Sequence, residues 1–136
     1  MKILEYYYKD VEEPGWEFEK VNFGSINLLV GDTATGKSRF LNTIFNLGRF
    51  VVFKEFKNGI WDLCFEHNGA NYRWKLETEK EIDKNKLGVI TKEALYKKKD
   101  GTEEIIVERN KETFTFSNNQ LPKLSPRETS ISLLQE

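Results

Sequence analysis

The dipeptide Asn68-Gly69 constrains this chain more than any other local feature. Both residues tolerate positive φ, so they suit the tight turn that joins two antiparallel strands. Folding the sequence about that turn sets Trp61 opposite Leu76, Leu63 opposite Trp74 and Phe65 opposite Tyr72. These six share one face. The other face pairs Asp62 with Lys75 and Cys64 with Arg73. A one-residue slip would turn every side chain to the wrong side, so a register that suits both faces is strongly specified. Asp100-Gly101 predicts a second hairpin, with Lys98 opposite Glu103, Lys97 opposite Glu104 and Tyr96 opposite Ile105. A third turn near Asn110-Lys111 would bring Phe114 to Val107 and Phe116 to Ile105, on an apolar face shared with Ala94 and Tyr96. The region from Phe50 to about Asn118 therefore reads as antiparallel hairpins.

The first third of the chain reads differently. Ile3 to Lys9 is tyrosine-rich and predicts a strand. Pro14-Gly15 predicts a type II turn, with glycine taking positive φ. Trp16 to Val21 alternates apolar and charged residues, as an antiparallel partner would. Ile26-Asn27-Leu28-Leu29-Val30 is a nearly continuous apolar run, which suits a buried central strand. From Gly36 to Leu47, apolar Phe40, Leu41, Ile44, Phe45 and Leu47 recur at helical spacing, and Gly48 fits the position just past a helix end. From Leu121 the chain is polar, contains Pro122 and Pro126, and predicts a helix start near Arg127.

Length and charge narrow the function classes. A chain of 136 residues is one domain. Twenty-one basic and 22 acidic residues give a net charge of −1, so bulk charge lends no support to a nucleic-acid or acidic-membrane binder. One cysteine excludes an intramolecular disulfide framework, and one cysteine with one histidine argues against a zinc site. No apolar run approaches the roughly 18 residues of a membrane span, and the start lacks the long apolar core of a signal peptide. A soluble cytoplasmic protein is expected.

The segment that carries chemistry is Gly31-Asp32-Thr33-Ala34-Thr35-Gly36-Lys37-Ser38, which matches G-x-x-x-x-G-K-[ST], the Walker A motif or P-loop. It lies between the predicted strand ending at Val30 and the predicted helix opening at Gly36, the context its mechanism requires. Gly31 and Gly36 let the backbone turn tightly and present N–H groups to phosphate oxygens. The helix N-terminus adds its positive dipole end. Lys37 would reach the β- and γ-phosphates, a binding and catalytic role, and Ser38 would place its hydroxyl on Mg²⁺. The candidate nucleotide-binding residues are Gly31, Asp32, Thr33, Ala34, Thr35, Gly36, Lys37, Ser38 and Arg39. Within them Asp32 and Thr33 read as turn residues, Thr35 as a further backbone donor and Arg39 as a solvated helix residue. Tyr8 or Trp16 could stack on an adenine ring. Trp61 and Trp74 read as core, Cys64 as an ordinary strand residue and His67 as exposed. Lys97-Lys98-Lys99 resembles a DNA patch, but Glu103 and Glu104 stand opposite two of the three lysines.

Hydrolysis needs more than this loop. No run of four apolar residues ends in Asp-Asp or Asp-Glu; the nearest is Ile105-Ile106-Val107-Glu108, inside the hairpin zone. No Asn-Lys-x-Asp signals guanine, since Asn110-Lys111-Glu112-Thr113 fails at its fourth place. No Asp-x-x-Gly switch follows the loop.

The stretch from Asn22 through the P-loop to Arg39-Phe40-Leu41-Asn42-Thr43-Ile44 resembles the start of the ABC-type AAA-family ATPases, the SMC, RecF, RecN and OLD-like proteins. The resemblance is most specific over Phe23 to Leu47. It implies an α/β fold with α+β character: the N-terminal lobe of a P-loop NTPase, a strand–P-loop–helix core with an antiparallel β-hairpin subdomain. Residues 1–49 would hold strands, P-loop and helix, residues 50–118 the β subdomain, and residues 119–136 a tail leading to a second lobe. It implies ATP and Mg²⁺ as ligands and hydrolysis on head dimerisation, with a homodimer or a C-terminal lobe as partner. DNA is a further partner by analogy. Gln135 lies about where the family's Mg²⁺- and water-contacting glutamine stands, with Gln120 the weaker candidate. Thr33 and Ala34 replace the Asn and Gly usual in the family's loop. Its signature segment, Asp-Glu pair and switch histidine are not in this sequence, so the chain reads as one lobe of a longer ATPase that binds nucleotide with little hydrolysis of its own. The alternatives are a stand-alone nucleotide-regulated binding module and a self-sufficient small kinase or NTPase.

Overall fold

The two tight turns form where the glycines call for them: Asn68 and Gly69 have φ of 48° and 74°, Asp100 and Gly101 of 50° and 78°. The computed structural model describes residues 1–12, 14–55, 57–79, 88–111, 113–117, 124–125 and 127–134. Seven strands are present among them: β1 (Lys2–Lys9), β2 (Glu17–Asn22), β3 (Gly59–His67), β4 (Ala70–Glu79), β5 (Val89–Lys99), β6 (Thr102–Asn110) and β7 (Phe114–Phe116). They make one sheet in the order β2-β1-β3-β4-β5-β6-β7, antiparallel throughout. One α-helix, α1 (Lys37–Phe53), and a 3-10 helix (Ser130–Leu134) complete the described structure.

The β3–β4 register is the expected one at every pair, from Gly59 opposite Thr78 to His67 opposite Ala70. Trp61, Leu63, Phe65, Tyr72, Trp74 and Leu76 are all buried on one face. Tyr6 and Tyr8 of β1 extend that face, and α1 packs Phe40, Thr43, Leu47 and Phe50 into the same core. The Tyr6 hydroxyl donates to Thr43 Oγ1 at 3.1 Å, and the Phe40 ring meets Phe18 at 4.8 Å.

At the other end of the core face a buried charge pair is clasped. Arg109 Nε donates to Glu93 Oε2 at 2.8 Å. Glu93 Oε1 accepts from Trp74 Nε1 at 2.8 Å and from the Ser130 N–H and hydroxyl, each at 2.7 Å. Arg109 also donates to the carbonyls of Ser125 and Glu128. Each buried charge thus meets several donors or acceptors, the condition under which such a pair is tolerated. The clasp fixes the 3-10 helix, which places Ile131 in the core.

Several expectations are corrected. The α/β core is not formed. Residues 26–30 are neither strand nor helix, and their side chains lie largely in solvent. A central parallel strand needs a neighbour on each side, and the described strands are all joined in one antiparallel sheet. β1 and β2 belong to that same sheet, so the described residues form a single antiparallel sheet with one α-helix packed on it. Helix α1 runs past Gly48 to Phe53 and ends on Lys54 in the left-handed region, φ 57°. Burial of Phe50 carries it through. Gly15 does not take positive φ; glycine is required because a Cβ would stand 2.3 Å from the Glu12 carbonyl oxygen. A bulge between Leu95 and Tyr96 lets β6 present Val107 to the core, with Phe116 rather than Phe114 opposite it and Phe114 opposite Arg109. The chain near Arg127 yields the 3-10 helix rather than a longer α-helix.

Candidate functional site

The Walker-spaced segment forms a tight exposed loop that leads directly into α1. Thr33 and Ala34 make the turn, closed by the Thr35 N–H on the Asp32 carbonyl at 3.4 Å. Ala34 sits at φ 67°, a left-handed value that glycine adopts without strain. Gly36 caps the helix at φ 92°, and its carbonyl takes the first helical bond from the Phe40 N–H at 2.8 Å. A glycine cap has no side chain to bond the first-turn N–H groups, and the first turn of α1 holds no acidic residue. Amides at a helix start without such a cap, together with the positive helix end, could meet an external anion.

Lys37 folds back over the loop. Its Nζ donates to the carbonyls of Gly31 and Asp32 and to Thr35 Oγ1. Gly31 must be small here, because a Cβ would lie 2.8 Å from Thr35 Oγ1. The loop thus wraps a cation that a triphosphate would otherwise meet. Ser38 is exposed on the first turn, available to a hydrated Mg²⁺. Where Mg²⁺ accompanies a nucleotide, phosphate and water supply most of its ligands. Among the described residues no group of three or more His, Cys, Asp or Glu could hold a metal by itself.

The structure adds residues that the sequence reading did not connect to the loop. The β1–β2 connection rests on it: the Trp16 indole lies 3.4 Å from where a Gly36 Cβ would stand. The Arg39 guanidinium lies over the Trp16 ring, 5.0 Å from its centroid, and donates to Asp10 Oδ2 at 2.8 Å. Asp10 also accepts from the Tyr8 hydroxyl and the Trp16 N–H, each at 2.7 Å. Burial pushes the Asp10 carboxyl up, but these hydrogen bonds and the Arg39 charge outweigh it and hold it below its usual range. The Tyr8 phenol is pushed well up, by burial first and then by Asp10. Arg39, read from sequence as merely solvated, is therefore tied across 29 positions to Asp10. The one sequence signal for Asp10 is its place at the head of the Pro14-Gly15 connection, where a side-chain acceptor often braces the backbone.

The other candidates separate from the loop. Gln135 and Gln120 lie outside the described residues. Glu108 projects from β6 into a cavity of about 500 Å³ that Tyr7, Asp62, Lys75 and Tyr96 also line and to which none of residues 31–39 contributes. Of the charged residues that line it, Asp62 accepts twice from Arg73, which also meets Glu103 at 3.5 Å, and Lys92 meets Glu77 at 3.3 Å. Glu103 stands opposite Lys98 as expected, but its ion pair is with Arg73. Trp61 and Trp74 are buried, as expected, and Cys64, a residue of strand β3, is buried too. His67 is only partly exposed, its Nε2 3.1 Å from the Leu134 carbonyl oxygen. No helix among the described residues is long and apolar enough to cross a membrane. Comparison with protein-family models, curated proteins and solved structures finds no match.

Proposed function

We propose that the chain binds a nucleoside triphosphate with Mg²⁺ on residues 31–38, and that the nucleotide is ATP, as the family resemblance implies. The observation that carries this reading is the coincidence of the Walker spacing with a helix start capped by glycine alone. A loop built only to begin a helix would gain from a Ser, Thr, Asp or Asn cap. This one forgoes it and sets a lysine and a serine in the first turn instead. On binding, the Lys37 ammonium exchanges the loop carbonyls for phosphate oxygens, first-turn N–H groups hold the phosphate, and the Ser38 hydroxyl meets the ion. Mg²⁺ supplies neutralisation of the phosphate charge.

The same reading takes this chain as one part of an ABC-type ATPase. Leu41, Phe45 and Val52 on the outer side of α1 are exposed, as are Ile26, Leu28 and Val30 just before the loop. An apolar surface beside the nucleotide fits a chain that works against another polypeptide, a second copy or a different partner. Hydrolysis then waits on that partner, and this chain alone binds without turning over. A nucleotide-regulated binding module is the other reading the same surface favours; sustained turnover on adding the partner separates the two.

The test is calorimetric titration of Mg-ATP into the wild-type chain and Lys37→Ala. Binding to the wild type, weakened at least tenfold in the variant, is the expected result. Equal affinity in the two would remove the site assignment.

A further inference from the structure

A triphosphate on the loop brings its base to whatever lies beside the helix start. The aromatic surface there is the Trp16 indole, which abuts Gly36. Tyr8 and Phe18 meet that ring in tilted arrangements, with centroids at 6.4 and 5.2 Å. The Arg39 guanidinium lies over the ring and is moored on Asp10. A flat cation on an indole occupies the same kind of surface that a stacked base uses. The two cannot share one face.

We propose that Arg39 is a gate on the base side of the loop, covering the Trp16 face on which a purine stacks and leaving it when a purine nucleotide binds. The inference rests on the nucleotide-binding reading above. Asp10 makes the closed position specific. Its remaining donors, the Tyr8 hydroxyl of β1 and the Trp16 N–H of the β1–β2 connection, do not depend on α1, so the carboxylate stays in place whether Arg39 is present or not. The Arg39 side chain is 58% exposed, so it can swing into solvent or toward the phosphates without opening the core. The gate discriminates by ligand: inorganic triphosphate has no base, so it fills the loop without moving Arg39, whereas ATP must displace it.

The experiment compares the affinities of Mg-ATP and Mg-tripolyphosphate, by calorimetry, in the wild type, Arg39→Ala, Arg39→Gln, Trp16→Leu and Lys37→Ala. Loss of positive charge weakens both ligands alike, so the ratio of the two affinities is the readout. The ratio in favour of ATP rises about three- to tenfold in both Arg39 variants, the weight of an exposed cation–π contact with an exposed ion pair. Trp16→Leu, alone or with Arg39→Ala, abolishes that gain. A ratio that is unchanged or lower in the Arg39 variants overturns the gate, as does a gain that survives Trp16→Leu. Mg-ATP binding that ignores Lys37→Ala removes the nucleotide reading and with it this one, whereas Lys37-dependent Mg-ATP binding with no tripolyphosphate binding leaves that reading standing and overturns the gate.

Discussion

The β3–β4 hairpin and residues 26–30 are built from the same kind of sequence and meet opposite fates. Trp61, Leu63 and Phe65 are 1%, 1% and 0% exposed, whereas Ile26, Leu28 and Val30 are 93%, 87% and 75% exposed. Apolar strand-forming residues are thus not enough to make a strand. The hairpin carries its own partner a tight turn away, so little loop entropy is spent in bringing the two together. The run at 26–30 has no such partner nearby in sequence. Its predicted burial needs neighbours on both sides, and the antiparallel sheet supplies none.

The largest effect tests that contrast directly. Trp74→Ala removes a fully buried indole and its bond to Glu93, and is expected to cost about 3–5 kcal/mol in urea unfolding. Leu28→Ala is expected to change stability by no more than about 0.5 kcal/mol. A cost near 2 kcal/mol at Leu28 would break the comparison by showing that the segment is packed in solution.

A smaller effect concerns the loop between the two regions. Ala34 holds a left-handed conformation that costs a residue with a Cβ, so Ala34→Gly is expected to raise stability by about 0.5 to 1 kcal/mol. Asn68 and Asp100 occupy the same backbone region in turns and belong to the residue types that tolerate it. If Ala34→Gly destabilises the chain, the turn at Thr33 and Ala34 has been misplaced. Mg-ATP binding should survive the change, since the cap and Lys37 are untouched.

The smallest effect belongs to the sheet's other face. The Tyr7 hydroxyl donates to Glu17 at 2.5 Å, and that bond, with lesser help from burial, pushes the phenol up to about 12. A raised pKa means that the folded state holds the proton longer. The stabilisation is complete below the unfolded value near 10 and is lost as pH rises through about 12. Tyr6 and Tyr8 are shifted upward as well, so the difference between wild type and Tyr7→Phe isolates this contact. That difference should shrink between pH 9 and pH 12 in urea unfolding; a constant difference would mean that the bond to Glu17 is not made in solution.

Legibility followed sequence distance. The first two turns, the pairs beside each and the buried face of the β3–β4 hairpin could be read because a positive-φ turn fixes which residues face each other; past the bulge in the β5–β6 hairpin, Val107 stands opposite Leu95 rather than Ala94, and Ile105 is exposed. The third register lies two residues from the expected one because the turn closes between Asn110 and Thr113, where the Asn110 N–H bonds the Thr113 carbonyl and the Thr113 N–H bonds the Asn110 side chain; separately, a bulge at Leu95 and Tyr96 changes which side of β6 faces the core. That bulge also hid the pairing of Glu93 with Arg109, which a regular ladder about Asp100-Gly101 would not align. The end of α1 departs from its local signal for a related reason. Gly48 looks like a stop locally, but a Cβ there would meet nothing within 4 Å, and burial of Phe50 two residues on sustains the helix. Of the site, the loop and its glycines were legible as a motif. The mooring of Arg39 on Asp10 and Trp16 was not, because it joins α1 to the connection between two earlier strands.

By itself the sequence determined the turns, the alternation that puts Trp61, Leu63, Phe65, Tyr72, Trp74 and Leu76 on one face, and a Walker spacing next to a helix start. These depend on backbone sterics and on periodicity, which act over a few residues. Only the tertiary structure decided that all seven strands join one antiparallel sheet, that residues 26–30 stay outside it, and that Arg39 lies on Trp16. Those outcomes depend on which distant surfaces find each other first and leave none over, a competition among long-range contacts that no local pattern encodes.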